Sequence, residues 1–196
     1  TSFDKFISFF LPNIFTDENC LSSSQVGFGI AAEGPLDVTL SSSALTQDGS
    51  YNFYASNSDP AGNQSACSTS YASYQLDTVA PSVPSSINLV DSSTTSTTPS
   101  FQVSGLSVGD TVILYSDSNC SVVAATELVT NKTMTLVSSE LTSDGVYAFN
   151  AAQQDIAGNT SACSSQSAQY ALDASLPTLT EVTILAGGGL DIVAVD

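Results

Sequence analysis

The stretch L-T-Q-D-G-S-Y-N-F-Y-A-S-N-S-D-P-A-G-N-Q-S-A-C-S, residues Leu45 to Ser68, returns at an offset of 96 as L-T-S-D-G-V-Y-A-F-N-A-A-Q-Q-D-I-A-G-N-T-S-A-C-S, residues Leu141 to Ser164. Downstream, Y-Q-L-D-T-V-A-P (Tyr74 to Pro81) pairs with Y-A-L-D-A-S-L-P (Tyr170 to Pro177) at the same offset. Upstream, F-T-D-E-N-C (Phe15 to Cys20) pairs with Y-S-D-S-N-C (Tyr115 to Cys120) at an offset of 100. Two copies of one unit of about 100 residues therefore fill the chain, a periodicity that takes precedence over any local reading.

Each copy reads as β throughout. In the second copy, Thr111 to Tyr115, Thr133 to Val137 and Val146 to Ala151 are β-branched and aromatic runs of strand length, separated by G-D, D-S-N and S-D-G turn signals. Further strands are expected near Ser86 to Val90, Ser100 to Leu106 and Ala162 to Leu172, and no segment has a helical period. About seven short strands in about 100 residues is the arithmetic of a β-sandwich of immunoglobulin or fibronectin type III kind. A Tyr opening the penultimate strand just after a turn is where such sandwiches place a tyrosine corner, which makes Tyr51 and Tyr147 the candidates.

The pattern resembles the bacterial Ig-like repeats found in tandem in large surface and secreted adhesins. The resemblance is carried by D-G-x-Y-x-F, by the D-x-A-G-N turn (Asp59 to Asn63, Asp155 to Asn159), by the linker L-D-T-x-A-P (Leu76 to Pro81) and by G-D-T-V (Gly109 to Val112). It covers nearly the whole chain. The second linker departs from it, with L-D-A-S-L-P (Leu172 to Pro177), and the first copy has F-F-L-P (Phe9 to Pro12) in place of G-D-T-V.

Laid out as strands A to G, the first copy starts at strand B and has no counterpart of Pro81 to Ser100. The tail Pro177 to Asp196 aligns with that missing piece. The expected organisation is a first Ig-like domain over 1–80 lacking its own strand A, a second over 81–176, and a final segment, 177–196, whose strand belongs to the next domain or the next subunit. Two explanations follow: a window cut from a long tandem array, or a subunit whose last strand fills the vacant edge of its neighbour. The assembly strand lies around Thr183 to Val195, with Thr183, Ile184, Leu185, Leu190, Ile192, Val193 and Val195 as its candidate residues. An exposed apolar edge is a liability that β-strand addition converts into assembly, and head-to-tail contacts that do not close make filaments.

Composition narrows the chemistry. Nineteen acidic residues face two basic ones, Lys5 and Lys132, with no His, for a formal charge of −17 over 196 residues. Nucleic acid and anionic lipid are repelled by such a chain. Without His there is no Ser-His-Asp or Cys-His nucleophile and no His-containing zinc site. No run reaches the roughly 18 to 20 apolar residues of a membrane helix, and membrane insertion is not expected. The chain opens on Thr1, which reads as processing or excision from something longer.

Cys20 and Cys67 fall in the first copy, Cys120 and Cys163 in matching places of the second. An even count per copy without C-x-x-C spacing reads as one disulfide in each sandwich and an oxidising, extracellular or cell-surface address, with crossed pairing left open. Each bridge would contribute about 3 to 4 kcal/mol.

Asp110, Asp155 and Asn159 are expected near the linker residue Asp77, with Asp48 approaching from the first copy. Such oxygen donors could hold Ca2+ between domains. The alternative is plain turn chemistry, with Gly supplying positive φ and Asp and Asn bonding their own backbone. Sequons at Asn63, Asn119, Asn131 and Asn159 are what chance produces in so Ser/Thr-rich a chain.

The expected role is a structural and adhesive module of an extracellular fibre or surface stalk. Its partners would be copies of itself, neighbouring Ig-like repeats or an unknown surface receptor. The rival is a carbohydrate- or ligand-binding accessory module, which needs an exposed aromatic platform; Trp is absent. No carboxylate pair recurs outside a turn, so an Asp-based enzyme is not expected.

Overall fold

The computed structural model describes residues 11–29, 38, 40, 45–91, 93–184, 187–188 and 190–195, with backbone alone for 181, 183, 184 and 190–195. The chain divides into two units, 1–79 and 80–196. Residues 1–10, where the first copy's strand B is expected, and Leu185 of the assembly strand lie outside the described residues.

In the first unit, β1 (Leu11–Phe15), β2 (Gln25–Phe28), β3 (Gly49–Ser58) and β4 (Ala72–Leu76) form one antiparallel sheet in the order β2-β1-β3-β4. The D-G turn releases the chain into Y-N-F-Y-A, whose aromatic residues suit a half-buried pleated surface. Tyr51 stands opposite Tyr74 in the β3/β4 register.

In the second unit, β5 (Ser86–Leu89), β6 (Ser100–Ser104) and β9 (Thr133–Val137) form a three-stranded sheet in the order β5-β6-β9. A second sheet runs β11-β10-β7-β8, from β7 (Thr111–Tyr115), β8 (Val123–Leu128), β10 (Gly145–Gln154) and β11 (Ala168–Leu172). Its order repeats that of the first unit, strand for strand. Phe101, Val103 and Leu136 from one sheet meet Val112, Leu114, Phe149, Ala151, Tyr170 and Leu172 from the other in one buried cluster. The rings of Phe101 and Phe149 stack at 4.1 Å between centroids. Burial of such a side chain contributes about 1.5–3 kcal/mol.

Both tyrosine corners are present. Tyr51 donates its hydroxyl to the Gln47 carbonyl at 2.6 Å, and Tyr147 to the Ser143 carbonyl at 2.7 Å.

The strand pattern differs from expectation in three places. β8 is an additional edge strand; Val123 and Leu128 lie exposed on it, so its sequence shows no clean alternation. The last strand of the sandwich begins at Ala168 rather than near Ala162. The residues before it are held by side chains: Ser161 Oγ accepts from the Gln153 N–H at 3.0 Å and Ser164 Oγ from the Ala151 N–H at 3.1 Å. Hydroxyls that take backbone donors in this way displace a ladder. The tail is extended as two strands, not one: β12 (Thr178–Ile184) pairs antiparallel with β13 (Leu190–Val195). Between them Gly187 and Gly188 take φ of +115° and +87°, which lets the chain reverse where a side chain would be strained.

Among the described residues, no helix is long and apolar enough to cross a membrane.

Candidate functional site

The recurring Asp residues are occupied by local donors. In the first unit, Asp59 Oδ1 accepts from the backbone N–H of Ala61 at 3.0 Å and of Asn63 at 2.8 Å, while Oδ2 accepts from Asn63 Nδ2 at 2.8 Å. In the second, Asp155 Oδ1 accepts from the Asn159 N–H at 2.8 Å and Oδ2 from Asn159 Nδ2 at 2.9 Å. Gly62 and Gly158 supply the positive φ, +87° and +95°, that the turn needs. The Asn63 side chain, for Asp59, and the Asn159 side chain, for Asp155, hold each carboxyl below its ordinary pKa of 3.8. The D-x-A-G-N sequence thus builds a self-sufficient Asx turn.

Asp110 behaves in the opposite way. Partial burial, and then repulsion from Asp155, push its pKa up. The expected calcium donors divide between the units, Asp48 and Asp77 in the first and Asp110, Asp155 and Asn159 in the second. Among the described residues no three acidic or Cys side chains gather as a metal site, so an ion would need amide, backbone or water oxygens as well.

Asp48 has another task, which sequence reasoning missed. Its Oδ1 accepts from the Thr78 backbone N–H at 3.0 Å and from Thr78 Oγ1 at 2.8 Å, clasping the residues that follow β4. Asp77 Oδ1 accepts from the Val79 N–H at 3.0 Å. In the second copy Asp144 does what Asp48 does: it accepts from the Ala174 N–H at 2.8 Å and from the Ser175 hydroxyl. The readable signal was the pairing of D-G with a polar L-D-T or L-D-A at a constant distance downstream.

Cys20 is bridged to Cys67 and Cys120 to Cys163, with Cα atoms 5.6 and 6.1 Å apart. Cys20 and Cys120 both sit at φ +52°, a conformation uncommon for a residue with a side chain. The same turn, the same clasp, the same corner and the same bridge thus occur twice. The family profile of the bacterial Ig-like domain matches residues 75–174.

The chain belongs to the bacterial Ig-like domain family. No curated protein matches it. Among solved structures it is similar to one titled "Biofilm associated protein - BSP domain", at 16% identity and a TM-score of 0.32 over 88% of this chain. The chain spans 26% of that structure.

The two Ig-like units part company on one face. In the second, Tyr170 is 2% exposed, and its hydroxyl donates to the carbonyls of Ser93 at 2.9 Å and Ser96 at 2.6 Å, in the segment between β5 and β6. Burial pushes its pKa above the ordinary 10.0. Its counterpart Tyr74 is 51% exposed. Ala168 is buried where Ala72 is exposed. Gln153 is fully buried and ties Ser82 to the β6–β7 loop, donating to the Ser82 carbonyl at 2.7 Å and accepting from the Ser107 N–H at 2.7 Å. Its counterpart Asn57 is exposed. The differences at Tyr170 and Gln153 fall where the second unit uses residues 82–96.

Proposed function

We propose that this chain is a non-catalytic structural and adhesive module of an extracellular fibre or surface stalk, in which the first Ig-like unit is completed by the terminal strand pair β12–β13 of a neighbouring copy. The observation that carries the reading is the contrast between Tyr74 and Tyr170. One fold position is sealed by the β5–β6 segment in one unit and stands half in water in the other, and the tail is the sequence counterpart of that segment. Strand addition would supply the missing cover, and because donor and acceptor lie on different parts of the chain, the contact is head-to-tail and makes a filament where its rotation does not close. The disulfides and the hydroxyl-rich acidic surface fit an oxidising location outside the cell.

Ca2+ enters this proposal within the second unit. Asp110 and Asp155 repel one another, and an ion with six to eight oxygen ligands would relieve that.

The deciding experiment removes residues 177–196. The full chain is expected to form fibres by electron microscopy and the truncated chain only short species. A synthetic peptide of residues 177–196 added in trans should raise the melting temperature of the first unit. A truncated chain that still forms fibres refutes the reading.

A further inference from the structure

The first unit carries a cavity of about 370 Å³ beside its disulfide, lined by Glu18, Asn19, Tyr54, Thr69 and Tyr71, with Cys67 in its wall. That size falls within the roughly 300–1,000 Å³ of small-molecule sites. The rings of Tyr54 and Tyr71 lie 5.6 Å apart at an inclination of 50°, and Tyr71 is 56% exposed.

The second copy shows that the fold does not need these rings. Tyr54 corresponds to Asn150 and Tyr71 to Ser167. Asn150 is 3% exposed; its amide donates to the Ser164 carbonyl at 2.8 Å, and its Oδ1 accepts from Ser167 Oγ at 2.6 Å. A closed polar network therefore occupies the place where the first unit is open. The backbone beneath is held alike in both, since Ser68 Oγ accepts from the Ala55 N–H at 3.0 Å just as Ser164 Oγ accepts from Ala151 at 3.1 Å. What the first unit adds is two aromatic faces beside a carboxylate, an amide and a hydroxyl.

That combination suits one ligand chemistry. The electron-rich face of a tyrosine attracts the polarised C–H bonds of a pyranose ring. Glu18 accepts from sugar hydroxyls, and Asn19 and Thr69 can both donate and accept. Among the described residues no cation lines the cavity, and the field of a chain of charge −17 opposes anionic ligands. We propose that the cavity between Tyr54, Tyr71, Glu18 and Asn19 binds a pyranose ring of a neutral saccharide. The proposal gives the adhesive role a ligand class, yet every residue it uses lies in the first unit and none in the assembly tail.

The test is a ¹⁵N and aromatic-proton NMR titration of the full chain, held below the concentration at which it assembles, with maltose, cellobiose, lactose and chitobiose, each to about 50 mM, with glucuronic acid as the anionic control. Saturable shifts centred on Tyr54 and Tyr71 are expected for at least one neutral sugar, with a Kd of roughly 0.1–10 mM as befits a small open site. The double variant Tyr54→Asn, Tyr71→Ser carries the residues the second unit already tolerates. It should lose at least about tenfold in affinity, which is 1.4 kcal/mol, at unchanged melting temperature. If that variant misfolds, Tyr71→Ser alone, at an exposed position, carries the same expectation. The proposal is overturned if none of the four neutral sugars moves these signals, if the variants bind as well as the parent, or if glucuronic acid binds as tightly as they do. Fibre formation by the same variants is scored separately by microscopy: fibres without sugar binding sink only the saccharide site, and sugar binding without fibres sinks only the assembly reading.

Discussion

Replacing Tyr170 by Phe removes one hydroxyl and nothing else, and the structure fixes what that should cost. The hydroxyl shares its single proton between the carbonyls of Ser96, at 2.6 Å, and Ser93, at 2.9 Å. At about 0.5–1.5 kcal/mol for that one proton, and with both carbonyls able to recover some water, the loss is about 1 kcal/mol. For a unit of this size that is a fall of roughly 4–8 °C in melting temperature. Tyr74→Phe deletes the equivalent hydroxyl from a side chain that is 51% exposed, so the isolated chain should lose almost nothing. In the fibre the two positions should become alike, with Tyr74→Phe weakening association by about tenfold, the equivalent of 1.4 kcal/mol. Hydrogen exchange read by mass spectrometry on peptides covering β4 and β11 reports each unit separately during urea unfolding, and sedimentation against concentration reports association. If Tyr74→Phe destabilises the isolated chain as much as Tyr170→Phe does, Tyr74 is already covered within its own chain and the argument for a vacant edge is refuted.

The disulfides close loops of 47 and 43 residues. Replacing either pair by Ala should therefore lower the stability of its own unit by about 4 kcal/mol in urea titrations, leaving the other unit unaffected. Asp144→Ala should speed amide exchange at Ala174, and Asp48→Ala at Thr78, because each loses the carboxylate that holds the residues after the last strand of its sandwich. The carboxyls of Asp59, Asp117, Asp144 and Asp155 are all held below 3.8 by hydrogen bonds to their charged form. Their folded pKa values lie below the unfolded ones, so their contribution is complete above about pH 4 and is lost as pH falls through the folded values. Circular dichroism against pH should show acid loosening only in that strongly acidic range. Asp110 has the opposite sign, its pKa being raised, so Asp110→Asn should stabilise the chelated protein at neutral pH. In calcium the same variant should lower the melting temperature; a flat calorimetric titration of the parent chain would remove the ion from the account.

Much of the fold was legible because its signals are local. The D-G-x-Y-x-F strand places Tyr51 and Tyr147 at their corners within four residues of their acceptors, and the D-x-A-G-N turn contains its own donors and acceptors. β8 was not legible, since an edge strand carrying exposed Val123 and Leu128 lacks the alternation that burial imposes. The start of β11 was misplaced because Ser161 and Ser164 substitute hydroxyls for ladder bonds, a competition that composition does not reveal. Calcium and turn chemistry could not be separated from residue types either, because the same Asp and Asn oxygens serve both.

The sequence alone determined that the chain is a duplicated β-sandwich unit with one Cys pair per copy. Strand period, turn residues and the repeat offset are properties of neighbouring positions and survive without knowledge of what lies across the core. Only the tertiary structure decided which member of each duplicated pair is buried. Tyr74 and Tyr170 share an identity, a register and a neighbouring Leu at the same spacing, and the strand pattern around them is the same. Their difference comes from a segment far away in the chain, residues 93–96, that reaches Tyr170 and has no described counterpart at Tyr74. Burial is a relation between distant segments, so a repeat that is uniform in sequence can still be uneven in what it leaves open to a partner.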